Sequence, residues 1–180
     1  MPSVLPPMTW SAYILCTIKR INSSRCCVVR LWKNRSVVFS LHNMDSHTKP
    51  LIITCSAFHD PNGSLYVYEV DHGIPFPVVR SFFVQAPAGE LRGNHAHYQC
   101  QQLLICLSGR IVCQTEHRSG KQSFELNNPQ QALFLPPMTW ATQTYAEPGS
   151  MLLVFCDQKY DSSDYIRSHD DFLVQLRQLT

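Results

Sequence analysis

From residue 44 onward the chain is cut into short lengths by turn chemistry, and no other feature restricts its fold as much. Pro61-Asn62-Gly63, Gly73-Ile74-Pro75, Pro87-Ala88-Gly89, Ser108-Gly109, Ser119-Gly120, Asn127-Asn128-Pro129 and Pro148-Gly149 punctuate it. Glycine reaches backbone angles closed to other residues, and proline fixes one angle and removes a donor, so no long helix survives between such breaks. The lengths between them are rich in β-branched, aromatic and aliphatic residues: Leu51–Cys55, Ser64–Val70, Val78–Gln85, Gln102–Leu107, Arg110–Thr115, Ala132–Leu135, Trp140–Tyr145 and Met151–Asp157. Many short strands at regular turn spacing predict a sandwich or barrel. Only the end departs from this. Phe172, Leu173, Leu176 and Leu179 share one face of a helix predicted over Asp170–Leu179, with Ser162 or Ser163 capping a short turn before it. The expectation for residues 44–180 is an all-β barrel with a short C-terminal helix.

Residues 1–43 read differently. The hexapeptide LPPMTW occurs at residues 5–10 and again at 135–140, but the likeness fades within a few residues of each copy. Forty-three residues also cannot hold a second copy of the much longer unit beginning at residue 44. These residues hold six basic side chains and no Asp or Glu, as a transit peptide does, yet they lack an amphipathic period and carry Pro2, Pro6 and Pro7. Met44 offers a natural start, and the residues after it read at once as folded β protein. Residues 1–43 are therefore expected to be a poorly defined extension outside the working domain, derived from a neighbouring copy or from a start placed too early.

Setting the extension aside changes the charge. Residues 44–180 carry nine basic and 13 acidic side chains, a net −4, against +2 for the whole chain. A mildly acidic domain argues against a nucleic-acid surface. No apolar stretch reaches the roughly 20 residues that span a bilayer. The eight cysteines form no CxxC pair, so they are read as buried free thiols in a reducing compartment, the cytoplasm.

The chemistry concentrates in GELRGNHAHYQCQQLLICLSG. Gly89, His95-Ala96-His97, Gln102 and Gly109 stand at spacings that resemble the first cupin motif, in which glycines bracket an HxH and an acidic residue. Residues i and i+2 of a strand share a face, so His95 and His97 point the same way, into the barrel. A usual cupin metal centre adds a carboxylate and a further histidine. Here Gln102 stands at the carboxylate position, and PPMTWA places Ala141 where the last histidine would be. Two neutral imidazoles without an anionic ligand make a poor divalent-cation site, so neither a metal nor another cofactor is expected. Histidines free of metal can instead move protons near neutral pH.

RGNHAH followed by Gln102, then LPPMTW, then YDSSDYIRSHDDFL resembles the nucleotide-sugar 3,4-ketoisomerase family, cupin-fold enzymes acting on TDP-4-keto-6-deoxyglucose. The likeness runs from Leu51 to Phe172 in order and includes NGSL and the IPF before Arg80. It implies a cupin jelly roll, a TDP-linked 4-keto-6-deoxy sugar as substrate, a homodimer, and an enolisation that moves the ketone from C4 to C3. It implies His95 and His97 as the proton-handling pair. Arg92, three residues before His95, is expected at the rim, where it or Arg80 meets the diphosphate. Gln102 would orient a histidine or bond the sugar, and Trp140 would wall the pocket or sit in the core.

Two stretches depart from the family pattern. Its usual Trp-His-Glu-Met is Trp140-Ala141-Thr142-Gln143 here, and the tyrosines expected after Arg80 are Phe82 and Phe83. Both favour, as the alternative, a non-catalytic or degenerate sugar-nucleotide-binding cupin. A related epimerase would carry a His–Asp pair and a Tyr acid, for which the sequence offers no evident equivalent. A metal-dependent dioxygenase cupin fails on ligand count.

Overall fold

The computed structural model describes residues 16–21, 24–31, 35–40 and 49–178. Two compact units divide the chain, Met1–Asn43 and Met44–Thr180. In the first, β1 (Cys16–Ile21), β2 (Ser24–Leu31) and β3 (Arg35–Ser40) form an antiparallel sheet in the order β1-β2-β3. The sequence pattern assigns these residues no element. The first LPPMTW lies outside the described residues.

Two five-stranded sheets build the second unit. Its strands are β4 (Leu51–Thr54), β5 (Ser56–Asp60), β6 (Gly63–Val67), β7 (Glu69–Val70), β8 (Gly73–Ile74), β9 (Arg80–Gln85), β10 (Leu91–His97), β11 (Gln102–Ser108), β12 (Ile111–His117), β13 (Gly120–Leu126), β14 (Gln131–Leu135), β15 (Trp140–Tyr145), β16 (Met151–Cys156) and β17 (Tyr165–Ile166). One sheet runs β13-β12-β15-β10-β17 and the other β4-β14-β11-β16-β9. All the pairings within both sheets are antiparallel. Every expected strand is present, with ends moved by a few residues. The expected Ser64–Val70 run is broken between β6 and β7.

Alternation along each strand sorts the side chains onto three surfaces. Leu104, Cys106, Leu133, Leu152 and Val154 of one sheet meet Ile111, Cys113, Leu126 and Tyr145 of the other, filling the space between them. Burying such side chains contributes about 1.5–3 kcal/mol each, the main favourable term in the fold. The next residues along, Leu103, Ile105, Ala132 and Phe134, face away from the barrel and are covered by Cys55, Ile74 and Phe76. The outer face of the β15–β10 sheet is covered by the helix α1 (His169–Gln178). There Ala96, Trp140 and Ile166 pack with Phe172, and Leu173 and Leu176 are partly buried against them. Leu179, the last expected member of that face, lies outside the described residues.

Ser168 starts the helix: its hydroxyl accepts the Asp171 N–H at 3.2 Å and its carbonyl the Phe172 N–H at 3.0 Å. The turn before it is a 3₁₀ helix, Ser162–Asp164, and its cap is Asp161 rather than either serine. The Asp161 carboxylate accepts the Ser163 N–H at 2.8 Å, a shorter and stronger acceptor than a hydroxyl. The cysteines of the described residues, Cys55, Cys100, Cys106, Cys113 and Cys156, are all buried and free.

Candidate active site

Parity along β10 is interrupted once, and the interruption builds the site. Arg92 pairs with Gln143 and Gly93 with Thr142, but it is His95 that pairs with Ala141, leaving Asn94 as an extra residue. Gly93 has φ +77° and Asn94 φ +58°, angles that glycine and asparagine reach at little cost. Gly93 also lacks room for a side chain, since a Cβ there would lie 2.9 Å from the Ala141 carbonyl oxygen. Gln143 and Ala141 are two apart on β15, so Arg92 and His95 face the same side despite their odd spacing in sequence. The bulge thus brings Arg92, His95 and His97 onto one inward face.

That face lines a cavity of about 390 Å³ between the two sheets. Phe82, Val84, Leu152 and Val154 make its apolar wall. Arg92, His95, His97, Gln102, Thr139, Gln143, Tyr145, Tyr165 and Arg167 supply the polar groups. The rings of His95 and His97 are 5.0 Å apart at 83°, and Tyr165 packs against both, at 5.0 Å and 4.2 Å. Arg92 is exposed and lines the cavity.

His97 is held at both nitrogens. Its Nδ1 lies 2.9 Å from Asp164 Oδ2, and its Nε2 lies 3.3 Å from Gln102 Nε2. An ionised carboxylate only accepts, so Nδ1 carries the proton and Nε2 the lone pair, which the Gln102 amide N–H meets. Asp164 is fixed in turn by the backbone: its Oδ1 accepts the Gln99 N–H at 2.8 Å and its Oδ2 the Cys100 N–H at 3.3 Å. Burial pulls the His97 pKa down to about 4 against the opposing pull of Asp164, and burial lowers that of His95 as well. Both rings are therefore neutral at pH 7 and able to accept a proton.

Arg80 does not line the cavity but stands behind it. Its guanidinium is 3.4 Å from Cys156 Sγ and lies over the rings of Phe82 at 5.4 Å and Tyr160 at 5.6 Å. Trp140 is not brought to the site. It sits one residue out of phase with Thr139 and Ala141, on the outer face, with its ring 5.7 Å from Phe172 and 5.0 Å from His169. The core placement is the one the structure adopts.

Asp164, Tyr165 and Arg167 are not singled out by the sequence, although the YDSSDYIR block that carries them is its most specific motif. The His–Asp pair for which the sequence offers no evident equivalent is His97 with Asp164, 67 residues apart. The block reads as a capped turn, and it is one. The same turn hands Asp164 and Tyr165 to β10, through the pairing of His97 with Tyr165. Arg167 lies over the Tyr165 ring at 4.4 Å.

His97, Cys100 and Asp164 bring a ring nitrogen, a thiol and a carboxylate within 4.8 Å of one another. These atoms already serve other partners. Asp164 accepts from two backbone N–H groups and His97. A hydrogen bond to Cys156, together with burial, pushes the Cys100 thiol well above its ordinary range, so it keeps its proton. A divalent ion needs deprotonated, unengaged donors, and this set does not provide them.

The family described as "FdtA: WxcM-like, C-terminal" matches residues 47–177. The TDP-4-oxo-6-deoxy-alpha-D-glucose-3,4-oxoisomerase of Aneurinibacillus thermoaerophilus is 30% identical over 122 residues, 67% of this chain and 88% of that one. The crystal structure of QdtA, a sugar 3,4-ketoisomerase from Thermoanaerobacterium thermosaccharolyticum in complex with TDP, superposes with a TM-score of 0.70 at 28% identity, covering 74% of this chain and 98% of that one. A 3,4-ketoisomerase from Helicobacter canadensis gives 0.68 at 30% identity, covering 73% and 99%. With its barrel, its inward histidine pair and these likenesses, the chain belongs to the nucleotide-sugar 3,4-ketoisomerase family of the cupin superfamily.

Proposed function

We propose that this protein moves the keto group between C4 and C3 of a TDP-linked 4-keto-6-deoxy hexose through an enediol, without a metal. The reaction belongs to deoxysugar biosynthesis in the cytoplasm, feeding a surface polysaccharide. The observation that carries the reading is the pair of neutral, inward histidines, 5.0 Å apart in a cavity of sugar size. A histidine takes the proton from C3, and the bonding pair becomes the C3=C4 double bond of the enediolate. O4 gains a proton, O3 loses one, and C4 is protonated, leaving the ketone at C3. No electron leaves the sugar, so no redox partner is needed.

The carbonyl acidifies the C3–H, which remains a weak acid, so placement of the base and stabilisation of the enediolate carry the rate. His97 presents Nε2 because Asp164 holds its Nδ1–H. His95 stands beside it, and Gln102, whose amide N–H meets Nε2 in the free protein, orients the His97 ring. Tyr165 holds both rings by packing against each of them. The guanidinium of Arg92 suits the diphosphate oxygens at the rim, while Arg80 stands at the histidine end, beside Cys156 and near enough for its charge to act on His97.

The resemblance to the family also supports a homodimer. Phe58, Leu65 and Phe83 are 64%, 59% and 65% exposed, apolar surface that a second copy would cover. Residues 1–43, which precede the family match, are proposed to contribute no group to catalysis; a chain beginning at Met44 should keep its kcat.

The test is to incubate the full chain with TDP-4-keto-6-deoxyglucose and follow the sugar by proton NMR. The 3-keto isomer should form, and His95→Asn and His97→Asn should each lose at least about a hundredfold in rate. Tight binding with no isomer formed by the unmutated protein would make it a binding cupin instead.

A further inference from the structure

Three side-chain polar atoms among the described residues are buried with no hydrogen-bonding protein partner: Arg80 Nε, Thr139 Oγ1 and Tyr145 Oη. Two of the three belong to residues that line the cavity, Thr139 and Tyr145. Thr139 is 5% exposed and Tyr145 is fully buried. A hydroxyl withdrawn from water with no partner costs stability. Packing alone gives no reason for either one, since valine and phenylalanine would fill the same space.

Their placement supplies the reason. Ala141, Gln143 and Tyr145 alternate with outward residues along β15, and Thr139 comes just before it, so this stretch shows the cavity a hydroxyl, a methyl, an amide and a phenol in a row. Ala141 stands opposite His95 and Gln143 opposite Arg92. Thr139 is at the histidine end: Met138, at φ +56°, donates its N–H to the His97 carbonyl at 2.8 Å and turns the chain so that Thr139 follows beside His97. Tyr145 is at the Arg92 end, near enough for the guanidinium charge to act on its phenol. Burial pushes that phenol up to about 12, so it stays a neutral donor at working pH. Strand geometry sets the His95 and Arg92 positions about 7 Å apart. That matches the reach from the reacting carbons of a hexose to the diphosphate on its C1.

Resting on the ketoisomerase reading of this cavity, we propose that Thr139 and Tyr145 read the substrate. Thr139 hydrogen-bonds a hexose oxygen beside the histidines, and Tyr145, with Arg92, hydrogen-bonds the diphosphate. Each hydroxyl is then unsatisfied in the free protein and satisfied in the complex. Ala141 between them leaves room for the sugar ring where the family pattern has a histidine.

The test uses the full chain with Thr139→Val and Tyr145→Phe, reading the melting temperature of the free protein, calorimetric binding of TDP, and kcat and KM for TDP-4-keto-6-deoxyglucose. Both variants should melt at or above the temperature of the unmutated protein. Tyr145→Phe should weaken TDP about tenfold or more, as expected for a hydrogen bond to a charged acceptor. Thr139→Val should leave TDP binding unchanged and raise KM by about three- to tenfold. Variants that bind and turn over as the unmutated protein does would overturn the proposal. So would a lowered melting temperature, which would mean that the hydroxyls serve the fold. Failure of the unmutated protein to bind TDP would overturn the ketoisomerase reading, and this proposal with it.

Discussion

Asp164 shows how much one side chain settles here. It takes two backbone N–H groups and so has a single orientation left with which to meet His97. Asn in its place has only one acceptor oxygen for three donors, so the imidazole loses its fixed tautomer. Asp164→Asn should lower kcat by about a hundredfold or more while leaving TDP binding within about twofold, as steady-state rates and calorimetry would show. Acid should act through the same group. His97 titrates near 4 in the folded protein against 6.5 for a free histidine, so the unfolded chain binds the proton first. Stability is then complete above about pH 6.5 and falls as the pH drops toward 4. His95, shifted in the same direction, adds to the loss. Urea midpoints measured between pH 7 and 4.5 should fall more shallowly for His97→Asn than for the unmutated protein. The histidines were legible because their spacing is local and fits a strand. Asp164 was not, since nothing in a linear reading couples residues 67 positions apart. Thr139 and Tyr145 were hidden for another reason: an unsatisfied hydroxyl is a property of the packed barrel, and in sequence it is only a threonine or a tyrosine.

Strands were legible wherever apolar alternation and turn residues agreed, as at Trp140–Tyr145, whose bounds coincide with β15. Polar strands escaped. Lys121, Gln122 and Ser123 in β13 are exposed along a sheet edge, so periodicity gave no signal there. The bulge in β10 escaped as well, because strict alternation sets Arg92 against the histidines. Trp140 shows the opposite case, since strict alternation with Ala141 holds and sends the indole outward to Phe172. Gly93 is where the bulge can be tested. Gly93→Ala meets both a left-handed backbone and the Ala141 carbonyl. It should cost about 1–3 kcal/mol by denaturant titration. By turning Arg92 away, it should raise KM more than it lowers kcat. Loss of stability with no change in KM would separate the bulge from the placement of Arg92.

At the scale of the molecule, the two sheets of the second unit enclose both an apolar core and the cavity that carries the histidines. The fold class was legible because turn residues recur so regularly, whereas the three strands of residues 16–40 carried no such rhythm. Light scattering should give a mass twice the 20.6 kDa of the chain, the homodimer proposed here. A monomer would leave Phe58, Leu65 and Phe83 without the cover assigned to them. The departures from the family pattern at Ala141 and Phe82 remove titratable and phenolic groups, but they leave in place His95, His97 and Asp164, the set proposed to handle the proton. Whether that set moves a proton is decided most directly in deuterated water. The full chain, given TDP-4-keto-6-deoxyglucose there, should place deuterium at C4 of the 3-keto product as it forms, with none placed when His97 is Asn. A TDP-sugar bound in the cavity that gains no deuterium at C3 or C4 would contradict the account.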